Sequence, residues 1–312
     1  MARFNYGGQA LIEGVLMRGR NAIAVAFRHP DGHIVWAAEP LNTGPHGWRL
    51  AGAPFVRGLV VLYETLVIGT KWLIRSANVQ VGEDEELGKG TVALMLGLTL
   101  LIGLGIFFLL PLVIATFTTA SVEGDLAQHL VEGLVRVALF LGYLALISRA
   151  PDIARVFQYH GAEHMTIHAL ESGNPLTTAN VRRYPTAHPR CGTEFLVVLI
   201  ALSIIAFSLV GKREPLVMVG SRIVLIPVLA AVGYEVLRWG AKHRANSIVK
   251  AIMWPGILVQ MITTKQPSDD QIEVAIVSME QALAADGETV PDGSDMPERS
   301  PLDPIEPAAA TA

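Results

Sequence analysis

The stretch VFQYHGAEHMTIHALESG, residues 156–173, places His160, Glu163, His164 and His168 on one expected helix. Residues four apart on a helix lie one above the other, so His160 and His164 can reach a single ion, with Glu163 on the same side. H-x-x-E-H is the inverted zincin order, in which two histidines bind zinc and the glutamate polarises a water. Zinc lowers the pKa of that water to about 7, and the carboxylate takes its proton as it attacks a carbonyl or phosphoryl centre. HPRCGT then offers His188 and Cys191, both preferred zinc ligands, before a glycine that permits a tight turn. Glu235, 71 residues after His164, falls at the inner end of a predicted span, where a third protein ligand is useful. His168 continues the stripe as outer support for the ligands or as a solvated residue.

Other readings of the same residues stay open. The histidines suit a packed or solvated pair without metal, and Cys191 suits a small apolar residue at a helix entry. Glu235 could form an i, i+3 ion pair with Arg238. A structural metal is also compatible: His160, His164, His188 and Cys191 fill four positions and leave Glu163 idle. The ligand types favour Zn2+, with manganese or iron compatible.

The elements that must position these residues are mostly membrane-like. Of 312 residues, 51% are hydrophobic and 17% charged, and the mean hydropathy is +0.43. Soluble domains carry about 25% charged residues, so the deficit points to a bilayer. Four spans are predicted, at 91–122, 130–148, 195–211 and 216–237. Pro111 should kink or end the first, and Arg136 and Arg222 should snorkel to the headgroups from near the outer ends of the second and fourth. Nine Lys or Arg lie in residues 1–90 and five arginines in 149–193, whereas 123–132 holds three acids and no base. The positive-inside rule then puts both termini and the 149–193 loop in the cytoplasm, opposed weakly by Lys212 and Arg213. The N-terminus MARFNYGGQALIEG lacks the apolar run of a signal peptide and is expected to stay in the cytoplasm.

The expected fold is a polytopic α-helical membrane protein of about four transmembrane helices plus interfacial helices and a small cytoplasmic β-hairpin element. Residues 1–53 form that β-element, with a hairpin turn at Pro30-Asp31-Gly32. Residues 54–78 form an interfacial helix with charges at 57, 64, 71 and 75 and Trp72 as anchor. The membrane core runs over 91–237 and includes the motif loop 149–193. Within 238–285 comes an apolar segment broken at Pro255–Gly256, interfacial or re-entrant, then a helix with a capping box from Ser268 to Gln271. From Asp286 to 312 seven acids and one arginine give a net −6, a composition that reads as a disordered acidic tail.

Several classes fall away. The single cysteine, Cys191, excludes an intramolecular disulfide. The barely basic core argues against nucleic acid, and no G-x-G-x-x-G follows a strand. The presumed bilayer midplane carries no ionisable residue, which argues against a transporter.

GGQALIEGVLMRG (7–19), YHGAEH (159–164), HPRCGT (188–193), YE (234–235) and PGILVQMITTKQPSDDQIEVA (255–275) together resemble the YqhQ-like bacterial membrane protein family, domain of unknown function 1385. The resemblance covers roughly residues 4–283. It implies a polytopic protein of the bacterial inner (plasma) membrane with a predicted metal, and no activity or substrate. A lysine commonly follows GAEH in that family, where this chain has Met165. Gly7 and Gly8 suggest close backbone approach, and Glu13 is either a further carboxylate at the site or a turn residue.

Two functions follow as expectations. One is a zinc-type membrane hydrolase at the cytoplasmic face, with Glu163 as catalytic base and His160, His164, His188, Cys191 and Glu235 as the ligand pool, acting on a peptide or a lipid ester or phosphoester. The other is a non-enzymatic, metal-stapled scaffold or assembly factor for other membrane proteins. Oligomeric state is not legible.

Overall fold

The structure is a computed structural model, and it describes residues 6–41, 48–81, 88–118, 125–188, 191–210, 214–243 and 246–302. Strands β1 (Gly7–Leu11), β2 (Gly14–Arg18), β3 (Ala22–Arg28) and β4 (Ile34–Pro40) form an antiparallel meander. The β3–β4 turn passes through Gly32 at φ +99°, as the Pro-Asp-Gly signal predicts. Alternation sends Val15, Met17, Ala24 and Ala26 to one face and Leu16, Ile23, Val25 and Phe27 to the other. The first face packs on α5 (Pro151–Glu171) and α10 (Asp269–Ala285), the second on α1 (Val56–Val81). The sheet is therefore a middle layer, buried on both sides. Helix α10 starts at its capping box, the Ser268 N–H donating to Gln271 Oε1 at 2.9 Å.

Two expectations for this unit need correction. Trp72 is not an interfacial anchor: it is fully buried beside Phe27, ring centroids 6.0 Å apart. The charged stripe of α1 faces protein, Glu64 accepting from Arg18 at 2.7 Å and Lys71 donating to Glu39 at 2.5 Å, while Tyr63, Leu66 and Val67 are exposed. The tail differs too. Asp286 accepts from the Arg20 and Asn21 backbone N–H groups, and β5 (Arg299–Pro301) adds parallel to β4, bringing Arg299 onto the buried Glu280. Composition missed this because the partners of Asp286 and Arg299 are remote in sequence or on another element. Residues 303–312 lie outside the described residues.

Among the described residues four helices are long and apolar enough to cross a membrane: Gly90–Thr118, Leu130–Ile147, Gly192–Val210 and Leu216–Lys242. They belong to α2 (Lys89–Leu104) with α3 (Leu110–Thr118), α4 (Asp125–Ile147), α7 (Gly192–Val210) and α8 (Pro215–Lys242). Short α6 (Thr178–Val181) lies in the motif loop. Pro111 does not end the first span. A π turn at Gly105–Leu109 precedes it and joins α2 to α3. Proline has no N–H for the carbonyl four residues back, Phe107 O, and Arg136 Nε donates to that oxygen at 3.0 Å.

Arg136 and Arg222 do not snorkel. Both are buried between helices and both donate to Glu132, Arg136 Nη2 at 2.7 Å and Arg222 Nη2 at 2.8 Å. A further correction concerns α9 (Ser247–Thr263), which runs unbroken through Pro255. Gly256 packs on Glu194, where a Cβ would stand 2.6 Å from Glu194 Cγ, so the helix lies against α7 and its C-terminal end reaches the motif loop. Lys212 and Arg213 lie outside the described residues.

Candidate metal centre

Helix α5 begins with Pro151 at its first position and Asp152 in its first turn, and a left-handed glycine, Gly173, follows its end. Gly161 lets the chain leaving α9 press onto α5. A Cβ there would stand 2.1 Å from Lys265 O, and Lys265 N–H donates to Phe157 O at 2.9 Å. This contact brings the Thr263 carbonyl to His160. Gly161→Ala is therefore expected to cost about 1–3 kcal/mol through overpacking against backbone, read as a lowered unfolding midpoint.

Both motif histidines are held by their outer nitrogens. His160 Nδ1 lies 2.8 Å from Thr263 O and His164 Nδ1 lies 2.6 Å from Thr186 O. A carbonyl only accepts, so each Nδ1 carries the proton and each Nε2 keeps its lone pair. That is how metal-ligating histidines are oriented by their surroundings. His160 Nε2 stands 3.1 Å from Cys191 Sγ, and one ligand atom from each of His160, His164 and Cys191 lies within 4.8 Å of the others. Ligands 2.0–2.3 Å from a tetrahedral zinc stand about 3.5 Å apart, so the trio fits with small adjustment. Cys191 Sγ also accepts from Thr193 N–H at 3.4 Å and Thr193 Oγ1 at 3.2 Å, contacts that favour a thiolate.

Glu163 faces the same space. A cavity of about 30 Å³ is bounded by Gly7, Gly8, Glu163, His164, His188 and Cys191, among others. That exceeds the 10–15 Å³ one water needs. Gly8 explains much of the GGQALIEG segment. Its N–H bonds to the Glu163 carboxyl, and a Cβ there would stand 2.3 Å from Leu16 O and 3.0 Å from Glu163 Cδ. Glu13, at φ +50°, is not in the cavity; its carboxylate takes Arg155 and Tyr159 and fixes the β1–β2 turn to α5. Met165 sits in the apolar core and does not line the cavity.

His188 borders the cavity without joining the trio. Its Nε2 lies 3.4 Å from Glu171 Oε2, its ring is 5.7 Å from that of His164, and its backbone is clamped at both ends by Gln260. His168 belongs to an outer row, Nε2 bonded to Ala187 O at 3.0 Å and the ring stacked on Tyr184. Glu235 is not brought to the site. Its carboxylate forms a two-point ion pair with Arg57, Nε at 2.7 Å, and accepts the Phe55 N–H at 3.0 Å at the start of α1. The partner is Arg57 and not the nearby Arg238, because packing of α1 on α8 decides the pairing. Sequence reading missed Thr186, Thr193, Gln260 and Thr263; only their place in or beside the motif stretches hinted at them.

Burial favours the neutral forms of Glu163, Cys191 and His164. It pushes Glu163 up to about 8 and Cys191 up to about 11, and it lowers His164 well below its usual value. A divalent cation reverses the preference at Cys191, so binding releases its proton, whereas His164 is already deprotonated near neutrality. Metal affinity should therefore rise with pH across 6 to 8, by about tenfold per unit for each proton released. Zinc titrations at several pH values check this. A flat profile would mean that Cys191 stays protonated and is no ligand.

Residues 53–285 match the model of a family described as a protein of unknown function, DUF1385. The chain is also similar to the uncharacterized protein YqhQ of Bacillus subtilis (strain 168), with 34% identity over 292 residues, 89% of this chain and 92% of that one. No solved structure matches.

Proposed function

The chain belongs to the DUF1385 family of proteins of unknown function, and from that footing we propose that it is a zinc-type membrane hydrolase with its site at the cytoplasmic face of the bacterial plasma membrane. What supports the reading is one convergence. His160, His164 and Cys191 bring three ligand atoms together while His188 turns to Glu171, so a fourth position is left beside Glu163. Three protein ligands with one open position is the catalytic pattern, whereas structural zinc is closed by four.

A divalent cation held there would supply Lewis acidity to a water or to an acyl or phosphoryl oxygen. The chain's own residues do the rest. Thr263 and Thr186 carbonyls fix the imidazole orientations, and Thr193 restrains the sulfur. Glu163, held by the Gly8 N–H, accepts a proton from the attacking water and returns it to the leaving group. The substrate is a peptide bond near the bilayer or a lipid ester or phosphoester. One observation favours the scaffold reading instead: a cavity of about 30 Å³ admits an ion and a water but no substrate unless it opens.

Elemental analysis of the purified protein tests the metal. Wild type is expected to carry one divalent ion per chain and His160→Ala almost none. Turnover by Glu163→Gln with the ion still bound tests the enzyme, since a staple tolerates that change.

A further inference from the structure

A second cavity, about 330 Å³, lies inside the span bundle between the π turn, α4, α7 and α8. Phe107, Phe140, Leu199 and Ile226 line it with apolar surface, and Arg136 and Ser203 supply its polar end. Ser203 is eleven residues along α7 from Gly192, about 16 Å at 1.5 Å per residue, and seven from Val210. The polar end therefore sits well inside the apolar part of the span.

Among the described residues the charge there does not cancel. Arg136 donates to Phe107 O, to Ser203 Oγ at 2.9 Å and to Glu132 Oε1; Arg222 donates to the same carboxylate through Nε at 3.3 Å and Nη2, and to Met218 O at 2.9 Å. Two guanidinium groups share one carboxylate, which leaves that trio at +1. Phe207 stands 5.3 Å from Arg136 and 4.7 Å from Arg222 and softens the imbalance without removing it. Arginine has five N–H donors, of which these bonds use three at Arg136, and it is Arg136 that lines the cavity. Ionised residues at such depth are paired or mark a functional site.

We infer that this cavity binds a single-chain anionic amphiphile, its carboxylate or phosphate on the remaining Arg136 N–H donors and its alkyl chain running toward Leu196 and Tyr143. An anion at Arg136 brings the cluster to neutrality in a low-dielectric setting, where the attraction is strong. The apolar walls take the chain. Tyr143 is seven residues from Arg136 on α4 and Leu196 seven from Ser203 on α7, so the cavity extends about 10 Å toward the metal-centre end. Its volume is at the small end of ligand pockets, enough for one chain and not for the two of a diacyl lipid.

The test uses the full-length protein, delipidated in a neutral detergent, with palmitate, hexadecyl phosphate and hexadecanol as probes in equilibrium binding. The expected result is saturable binding of an anionic probe at one per chain, with hexadecanol weaker by about tenfold or more. The tighter of the two anions identifies the head group. Leu199→Trp fills the cavity without touching the arginines and should weaken the anion by about tenfold. It keeps the test decisive should Arg136→Gln fail to fold. Equal binding of hexadecanol, equal binding by Leu199→Trp, or diacyl phosphatidylglycerol competing as well as palmitate would each overturn the inference.

Discussion

Glu163→Gln is expected to keep its metal and its fold and to lose hydrolytic turnover by a factor of about 10²–10⁴, the usual worth of a general acid or base. Glutamine has the same shape and still accepts the Gly8 N–H, so the contact between β1 and α5 survives. It cannot take a proton. Stability should change little, because burial pushes the Glu163 carboxyl up to about 8 and the metal-free site already holds it neutral at pH 7. Release of fatty acid, phosphate or peptide from native membranes containing either protein is the readout, with metal content measured on the same preparations. Undiminished turnover by the variant at full metal occupancy would remove Glu163 from the chemistry.

Glu132→Leu is expected to be the most damaging single change to the fold, at about 3–5 kcal/mol, because it strips the shared partner from two buried guanidinium groups. The Arg136 and Arg222 side chains are only 5% and 3% exposed, so neither guanidinium can turn to bulk solvent in its place. At about 2–4 °C per kcal/mol for chains of 150–250 residues, the melting midpoint should fall by about 6–20 °C. Glu39→Ala is the control. Its partner Lys71 is 46% exposed, so loss of that pair should cost no more than about 1 kcal/mol. If the two variants melt together, the buried trio contributes nothing beyond a surface pair.

Some of this was legible in the sequence by itself. Length and apolarity mark the four spans, because a run of about 20 apolar residues has few other homes. The hairpin at Pro30-Asp31-Gly32, the capping box at Ser268 and the edge-on approach of His160 to His164 are equally local, set by turn chemistry and the 3.6-residue period. Cys191 as the partner of those histidines was suggested by ligand chemistry, and packing puts it there.

What the tertiary structure alone decided is which distant groups meet. Glu235 and Glu163 are both carboxylates predicted near the same face, yet one is taken by Arg57, 178 residues away in sequence, and the other faces the cavity. The charged stripe on α1 reads as facing the membrane interface until Arg57, Glu64 and Lys71 are seen to pair with protein carboxylates and guanidinium groups. Arg136 and Arg222 read as snorkelling until Glu132 is found between them. The orienting carbonyls of Thr186 and Thr263 have no signature, since every residue carries that group. Periodicity reports that a face is apolar or charged; which partner it meets depends on how whole elements pack, and that information is not local to any stretch of chain.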